Sequence, residues 1–179
     1  MWQAKRRGEP AGAAPRTSDM NAAASRRIAP AAAGWGAAVA AVALLGGLAT
    51  DTSSDWYESL ERPSWQPPGA LFGPVWTVLY VLLAISAALA WRDVRGPRRR
   101  LVLGLYAANL AMNLGWSVIF FRLHAPWAAL ADIVGLLASI VALIVLVRRH
   151  NTAASNALVP YAVWVTFATA LTAAIALEN

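Results

Sequence analysis

The chain has 179 residues, 59% of them hydrophobic and 13% charged, with a mean hydropathy of +0.50. Soluble domains carry roughly twice that share of charge, so length and composition together describe one membrane domain. There is no cysteine, which excludes disulfides, thiolate haem ligation, CxxC redox chemistry and cysteine zinc sites.

Residues 1–30 are rich in Ala, Pro, Ser and Arg and show no periodic apolar face. They read as a disordered basic tail without the core of a separate signal peptide, and Met20 offers an alternative start. Five apolar runs follow, at about 31–50, 71–91, 101–121, 126–147 and 156–177. Each is close to the ~20 residues a helix needs to cross the ~30 Å hydrocarbon layer. Lipid offers the backbone no hydrogen-bond partner, and the runs lack barrel-type alternation, so helices are expected. The predicted fold is an all-α five-transmembrane-helix bundle over 31–179, with short connections after the second, third and fourth spans.

Between the first two runs, 51–70 is an aromatic, Pro-rich loop that leads straight into the second span; residues 56–80 read WYESLERPSWQPPGALFGPVWTVLY. Trp and Tyr favour the membrane–water boundary, and Pro63, Pro67 and Pro68 cannot lie in a helix interior. A rigid loop at the membrane surface follows, placed to lid a cavity for a flat, apolar ligand.

The basic residues predict the topology. The tail, the second connection (Arg92, Arg95, Arg98, Arg99, Arg100) and the fourth (Arg148, Arg149) share one side and hold thirteen of the 15 Lys and Arg. Arg62 and Arg122 lie opposite, beside Asp51, Asp55, Glu58, Glu61 and Glu178. Positive-inside bias places the N-terminus in the cytoplasm and the Trp/Pro loop outside, if the host is a plasma membrane. Anionic lipid headgroups are the expected partners of these arginines, ahead of nucleic acid.

The motif WYESLERPSWQPP followed by FGPVWTVLY resembles the signature of the TspO/MBR family, the tryptophan-rich sensory proteins related to the mitochondrial translocator protein. The resemblance continues through NLAMNLGWSVIFF, WAALAD at 127–132 and PYAVWVTFATAL at 160–171, and covers about residues 35–177. It implies a five-helix bundle, commonly dimeric, that binds porphyrins and other tetrapyrroles, sterols in animals, and synthetic benzodiazepine-type ligands. Stress signalling, tetrapyrrole transport and porphyrin breakdown are all roles attributed to the family. Two departures stand out: Leu171-Thr172 where the family often has Leu-Asn, and a final TAAIALEN without the Tyr and Arg of the animal sterol motif. A reversed pattern, Arg100…Tyr106…Leu110, is too weak to carry sterol binding.

Residue spacing gathers candidate side chains onto helix faces. Trp76, Tyr80 and Leu83 share a face of the second span; Asn109, Asn113, Trp116 and Phe120 share one of the third; Tyr161, Trp164, Ala168 and Leu171 share one of the fifth. With Trp56, Tyr57 and Trp65 from the loop and Asp132 at the rim, they outline an aromatic slot with a few amides for orientation. Indoles would stack on a porphyrin face while amides, hydroxyls and Arg62 meet its edge. Aromatic stripes in membrane helices are more often packing or belt residues, and Trp35 and Trp91 are read as belt anchors. Asn109 and Asn113 serve equally well as interhelical hydrogen-bond partners. Asp132 is read as structural or pocket rim, within reach of Arg122, ahead of proton chemistry.

His124 and His150 are lone loop residues, so no metal site is expected, and His124 as an axial haem ligand is a remote alternative. No nucleophile–base set or paired carboxylates are present. The first reading is therefore a tetrapyrrole (porphyrin or haem)-binding sensor or carrier with no required cofactor. The alternatives are porphyrin degradation, with Trp76 and Trp164 as the candidate catalytic pair, and a structural membrane protein without turnover. Gly104, Ala107, Ala108, Ala111 and Gly115 form a small-residue stripe on the third span, the expected homodimer interface.

Overall fold

The computed structural model describes residues 17–179, with side chains from residue 29 onward. Helix α1 (Thr17–Ala49) is followed by the short α2 (Asp55–Ser59) and a 3-10 turn (Gly69–Leu71) that runs into α3 (Phe72–Asp93). Then come α4 (Pro97–Phe121), α5 (Pro126–Arg148), α6 (Thr152–Ala157) and α7 (Val159–Glu178). Five stretches are long and apolar enough to cross a membrane: Ala29–Ala49, Gly69–Asp93, Pro97–Phe121, Pro126–Arg148 and Thr152–Glu178.

The tail expected over 1–30 is corrected in part. Residues 17–30 lie in α1, with Pro30 inside the helix; residues 1–16 lie outside the described residues. Alanine is the strongest helix former, and the alanines flanking Pro30 carry the helix through the one ladder bond that proline removes.

Local chemistry sets the ends of the other helices. Pro97 and Pro126 open α4 and α5 at positions where the missing N–H has no partner to lose. Gly96 makes the turn between α3 and α4 at φ +67°, where a side chain would be strained. Ser54 caps α2 by accepting from the Tyr57 N–H, and Asn151 caps α6 by accepting from the Ala154 N–H at 2.7 Å. The fifth span breaks at Leu158 because Pro160 cannot donate to the preceding turn.

The spans form a ring in the order α3, α1, α4, α5, α7. The circuit closes because α3 meets the fifth span chiefly through α6. At that arginine-rich end the packing is tight and polar groups stitch it together. Ser86 Oγ donates to the Ala154 carbonyl at 2.7 Å and is also paired with Tyr106 Oη at 2.6 Å. Ser155 Oγ donates to the Ile144 carbonyl at 3.0 Å. Beyond α6, α3 and α7 touch little through their backbones, and the bundle opens into a space toward the aromatic loop. Trp35, expected as a belt residue, instead packs into the bundle 5.6 Å from Tyr106. Trp91 is exposed, with the Arg99 guanidinium 3.8 Å from its ring centre.

Candidate functional site

In the half of the bundle facing the loop, α1, α3, α4, α5, α7 and the loop enclose a cavity of about 500 Å3. Of the side chains singled out from sequence, Tyr57, Trp76, Tyr80, Asn113, Trp116, Trp164 and Ala168 line it. Its aromatic walls brace one another, with Tyr161 behind them. Trp76 lies 5.4 Å from Tyr80 and meets Tyr161 edge-on at 6.1 Å. Trp164 meets Phe72 edge-on at 5.7 Å, and Trp116 stacks on Phe120 at 5.2 Å. Each indole is therefore held by neighbours whose own positions are fixed by packing, as preorganised ligand walls require.

Five predicted site residues do not line the cavity. Asn109 and Tyr161 are fully buried behind the wall. Trp56 stacks on His124 at 4.3 Å and meets Phe120 edge-on. Trp65 is half exposed beside Phe167. Asp132 faces Gly115, where an added Cβ would lie 3.4 Å from its Oδ1, and its buried Oδ2 has no partner among the described residues. The expected Asp132–Arg122 pair is not formed. Arg122 instead reaches the end of α1, donating to the Leu48 carbonyl and lying 4.0 Å from Asp51. His124 lies outside the lining, at φ 51°.

The amides behave differently from either simple expectation, because they join into one directed chain. Ser139 Oγ donates to the Leu136 carbonyl at 2.7 Å, so it must accept from Asn109 Nδ2 at 2.8 Å. Asn109 Oδ1 then accepts from the Tyr161 hydroxyl at 3.1 Å, and Tyr161 in turn accepts from Asn113 Nδ2 at 3.1 Å. Asn113 Oδ1 is left to accept from the Tyr80 hydroxyl. A backbone carbonyl at one end thus fixes every proton along the row. At the cavity wall Tyr80 has spent its proton, so its hydroxyl can only accept from a ligand, whereas the buried indole N–H groups of Trp116 and Trp164 have no partner among the described residues.

Sequence reasoning missed several lining residues. Gln66 closes the loop end, donating to Tyr57 Oη at 3.3 Å. Phe72, Thr172 and the pairs Gly46–Gly47 and Gly69–Gly73 also line the space. A Cβ at Gly47, Gly69 or Gly73 would meet nothing within 4 Å, so these glycines help make the volume. Thr172 Oγ1 donates to the Ala168 carbonyl at 2.9 Å and so has no proton for a ligand. The glycine pattern around a Trp/Pro loop was the one available signal for this part of the wall.

The loop is fastened at several points. The Asn179 side chain pairs with the Glu61 backbone in both directions, accepting from its N–H at 3.0 Å and donating to its carbonyl at 3.1 Å. The Arg62 guanidinium lies 5.1 Å from the Tyr57 ring centre. Asp51 is held below the usual carboxylate range, first by the Ser53 hydroxyl and N–H and then by the Arg122 charge.

The predicted dimer stripe divides. Gly104, Ala107, Ala108 and Ala111 are exposed on the outer face of α4, whereas Gly115 turns toward Asp132 on α5.

The sequence profile of the TspO/MBR family matches residues 35–177. The chain is 39% identical over 143 residues to the tryptophan-rich protein TspO of Archaeoglobus fulgidus, covering 79% of this chain and 92% of that protein. It is 38% identical over 138 residues to the protein of the same name from Chlorobaculum tepidum, covering 73% and 84%. It is 34% identical over 126 residues to the translocator protein of Homo sapiens, covering 69% and 75%.

Proposed function

Because this chain belongs to the TspO/MBR family and is a multi-pass integral membrane protein, we propose that it is a tetrapyrrole-binding sensor or carrier. One observation carries the reading: three indoles and two phenols, Trp76, Trp116, Trp164, Tyr57 and Tyr80, surround a single cavity of about 500 Å3. That size suits a small-molecule site. Rings held by packing suit a flat apolar face, and Arg62 beside Tyr57 supplies a cation at the loop end for a propionate. In the bilayer the arginine-rich end faces anionic lipid, with the N-terminus cytoplasmic and the aromatic loop outside. Two copies pair through the exposed small residues of α4.

The test is titration of the purified, nanodisc-embedded protein with protoporphyrin IX, read by the porphyrin absorption band and by tryptophan quenching. Saturable, stoichiometric binding supports the proposal; absence of saturable binding refutes it. Catalytic loss of the porphyrin spectrum in light or with added oxidant, abolished by Trp76→Phe and Trp164→Phe, would move the function to porphyrin breakdown. The observation favouring that second reading is that these two indoles line the same cavity.

A further inference from the structure

A second apolar space lies on the outer side of the bundle. It is a groove of about 560 Å3 between α1 and α3, lined by residues such as Gly36 and Ala40 on α1 and Val81, Ala84 and Ile85 on α3. Three residues, Ala43, Thr77 and Tyr80, line both this groove and the aromatic cavity. The two spaces are therefore separated by a septum only one side chain thick.

We propose that the cavity's ligand enters and leaves sideways, from the hydrocarbon of the bilayer, through this seam between α1 and α3, passing Ala43, Thr77 and Tyr80. The proposal rests on the tetrapyrrole reading and adds the path to it.

The seam exists because of the sequence. Ala32, Gly36, Ala40 and Ala43 recur at spacings of four and three, so they form one stripe along α1 that faces α3. Across from them stand Ala84 and Ala88. Two small-residue faces usually allow close helix contact, yet a Cβ placed on Gly36 meets nothing within 4 Å. The helices leave the gap unfilled.

The polar groups at the septum are already satisfied within the protein. Thr77 Oγ1 donates to the Gly73 carbonyl at 2.9 Å, and the Tyr80 hydroxyl donates to Asn113. The seam therefore presents hydrocarbon to hydrocarbon, and the ring face of a porphyrin dissolved in lipid meets it without desolvating a polar group of the protein, its propionates alone carrying a polar cost.

The loop end offers the opposite case. There Gln66 and Tyr57, bonded to each other, line the cavity, and the loop that carries them is fastened by the double Asn179–Glu61 pair and the Asp51–Arg122 contact. Movement through the seam asks that the Tyr80 ring swing aside, which breaks one hydrogen bond, to Asn113, and its contact with Trp76.

The experiment is stopped-flow binding of protoporphyrin IX, delivered in lipid, to the full chain in nanodiscs. Gly36→Phe combined with Ala40→Phe fills the groove without touching the cavity lining. A doorway changes the barrier and not the end states, so both association and dissociation should slow by about tenfold or more while Kd stays within about twofold. Ala40→Leu, a milder filling, should slow both rates in the same proportion and guards against misfolding of the double variant. Asn179→Ala loosens the loop and should leave both rates unchanged. Unaltered rates in the groove variants, or rates that rise on loosening the loop, would overturn the lateral path while leaving porphyrin binding in place. A weakened Kd with unchanged association would also overturn it, since the groove would then be a contact. No saturable binding by the unaltered protein would refute the tetrapyrrole reading itself, and the path with it.

Discussion

The directed hydrogen-bond chain makes Asn109 and Asn113 unequal, although they lie one turn apart on α4. Asn109→Leu removes two bonds, from Tyr161 and to Ser139. With the Asn113 amide held as it stands, it also strands the Tyr161 hydroxyl proton, because that group's other neighbour, Asn113 Nδ2, is itself a donor. Tyr161 is 1% exposed, so no water is at hand. Interhelical bonds in membranes contribute about 0.6 kcal/mol each. With about 1 kcal/mol more for an unpaired buried hydroxyl, the variant should lose ~2 kcal/mol of stability. Asn113→Leu also removes two bonds, but Tyr161 still donates to Asn109, and the released Tyr80 hydroxyl faces the cavity. The loss there should be ~1 kcal/mol. Ligand affinity should change in the opposite order, falling for the Asn113 variant, which alters the cavity wall, and holding for the Asn109 variant, which lies behind it. Equilibrium unfolding in mixed micelles, beside protoporphyrin titration, measures both. Equal destabilisation would show that the Asn113 amide turns over to keep Tyr161 paired, and a larger loss at Asn113 would show that the protons do not run from Tyr80 toward Leu136.

The cavity walls give a second contrast. Trp76→Ala should weaken protoporphyrin binding by roughly ten- to hundredfold, on the scale of ~1–3 kcal/mol for a lost stacking ring, whereas Trp65→Ala, outside the lining, should change it less than twofold in the same titration. For the dimer, Ala107→Leu with Ala111→Leu places bulk on the exposed face of α4 and should shift the protein to monomer in mild detergent, read by light scattering, with ligand affinity retained. Retention of the dimer would remove α4 as the interface. Asp51 gives a pH prediction: its carboxyl titrates below the usual range, so its hold on the loop is complete at neutral pH and lost only as pH falls through that lowered value. Asp51→Asn should differ from the parent in loop accessibility to protease at pH 7, with the difference closing only in strong acid; a difference that closes between pH 7 and 5 would assign the titration to another group.

How legible all this was depends on the physics involved. The five spans were plain because an apolar run of fixed length has few alternatives in a bilayer, and their ends were off by only a few residues where Pro97 and Gly96 mark a start and a turn. Helical spacing also brought Trp76, Tyr80, Asn113, Trp116, Trp164 and Ala168 to one cavity. Spacing could not tell lining from backing: Asn109 and Asn113 share a helix face by count, yet a few tens of degrees of rotation put one in the core and the other on the wall. Nor could it pair Arg122, whose long side chain reached α1 instead of Asp132. The helical start of α1 was missed because Pro30 and scattered arginines resemble a linker, and local alanine content outweighed both.

The first span shows the limit most clearly. Its mean hydropathy of 1.8 lies within the range of the five spans, yet Ala and Gly rather than large side chains make up most of its length. In the bundle that same poverty of side chain is what leaves space. Gly46 and Gly47 open the cavity on one side, and Gly36, Ala40 and Ala43 open the groove on the other. A leucine-rich α1 would score as a better membrane helix, yet each added side chain would fill either the binding space or the seam beside it. The small side chains of α1 and the presence of two adjoining voids are one property of the sequence, seen first as composition and then as volume. Filling tests on α1 therefore probe the architecture most directly: substitution at Gly47 should act on Kd, substitution at Gly36 and Ala40 should act on rate, and a single class of effect from both would mean that the two spaces are not functionally separate.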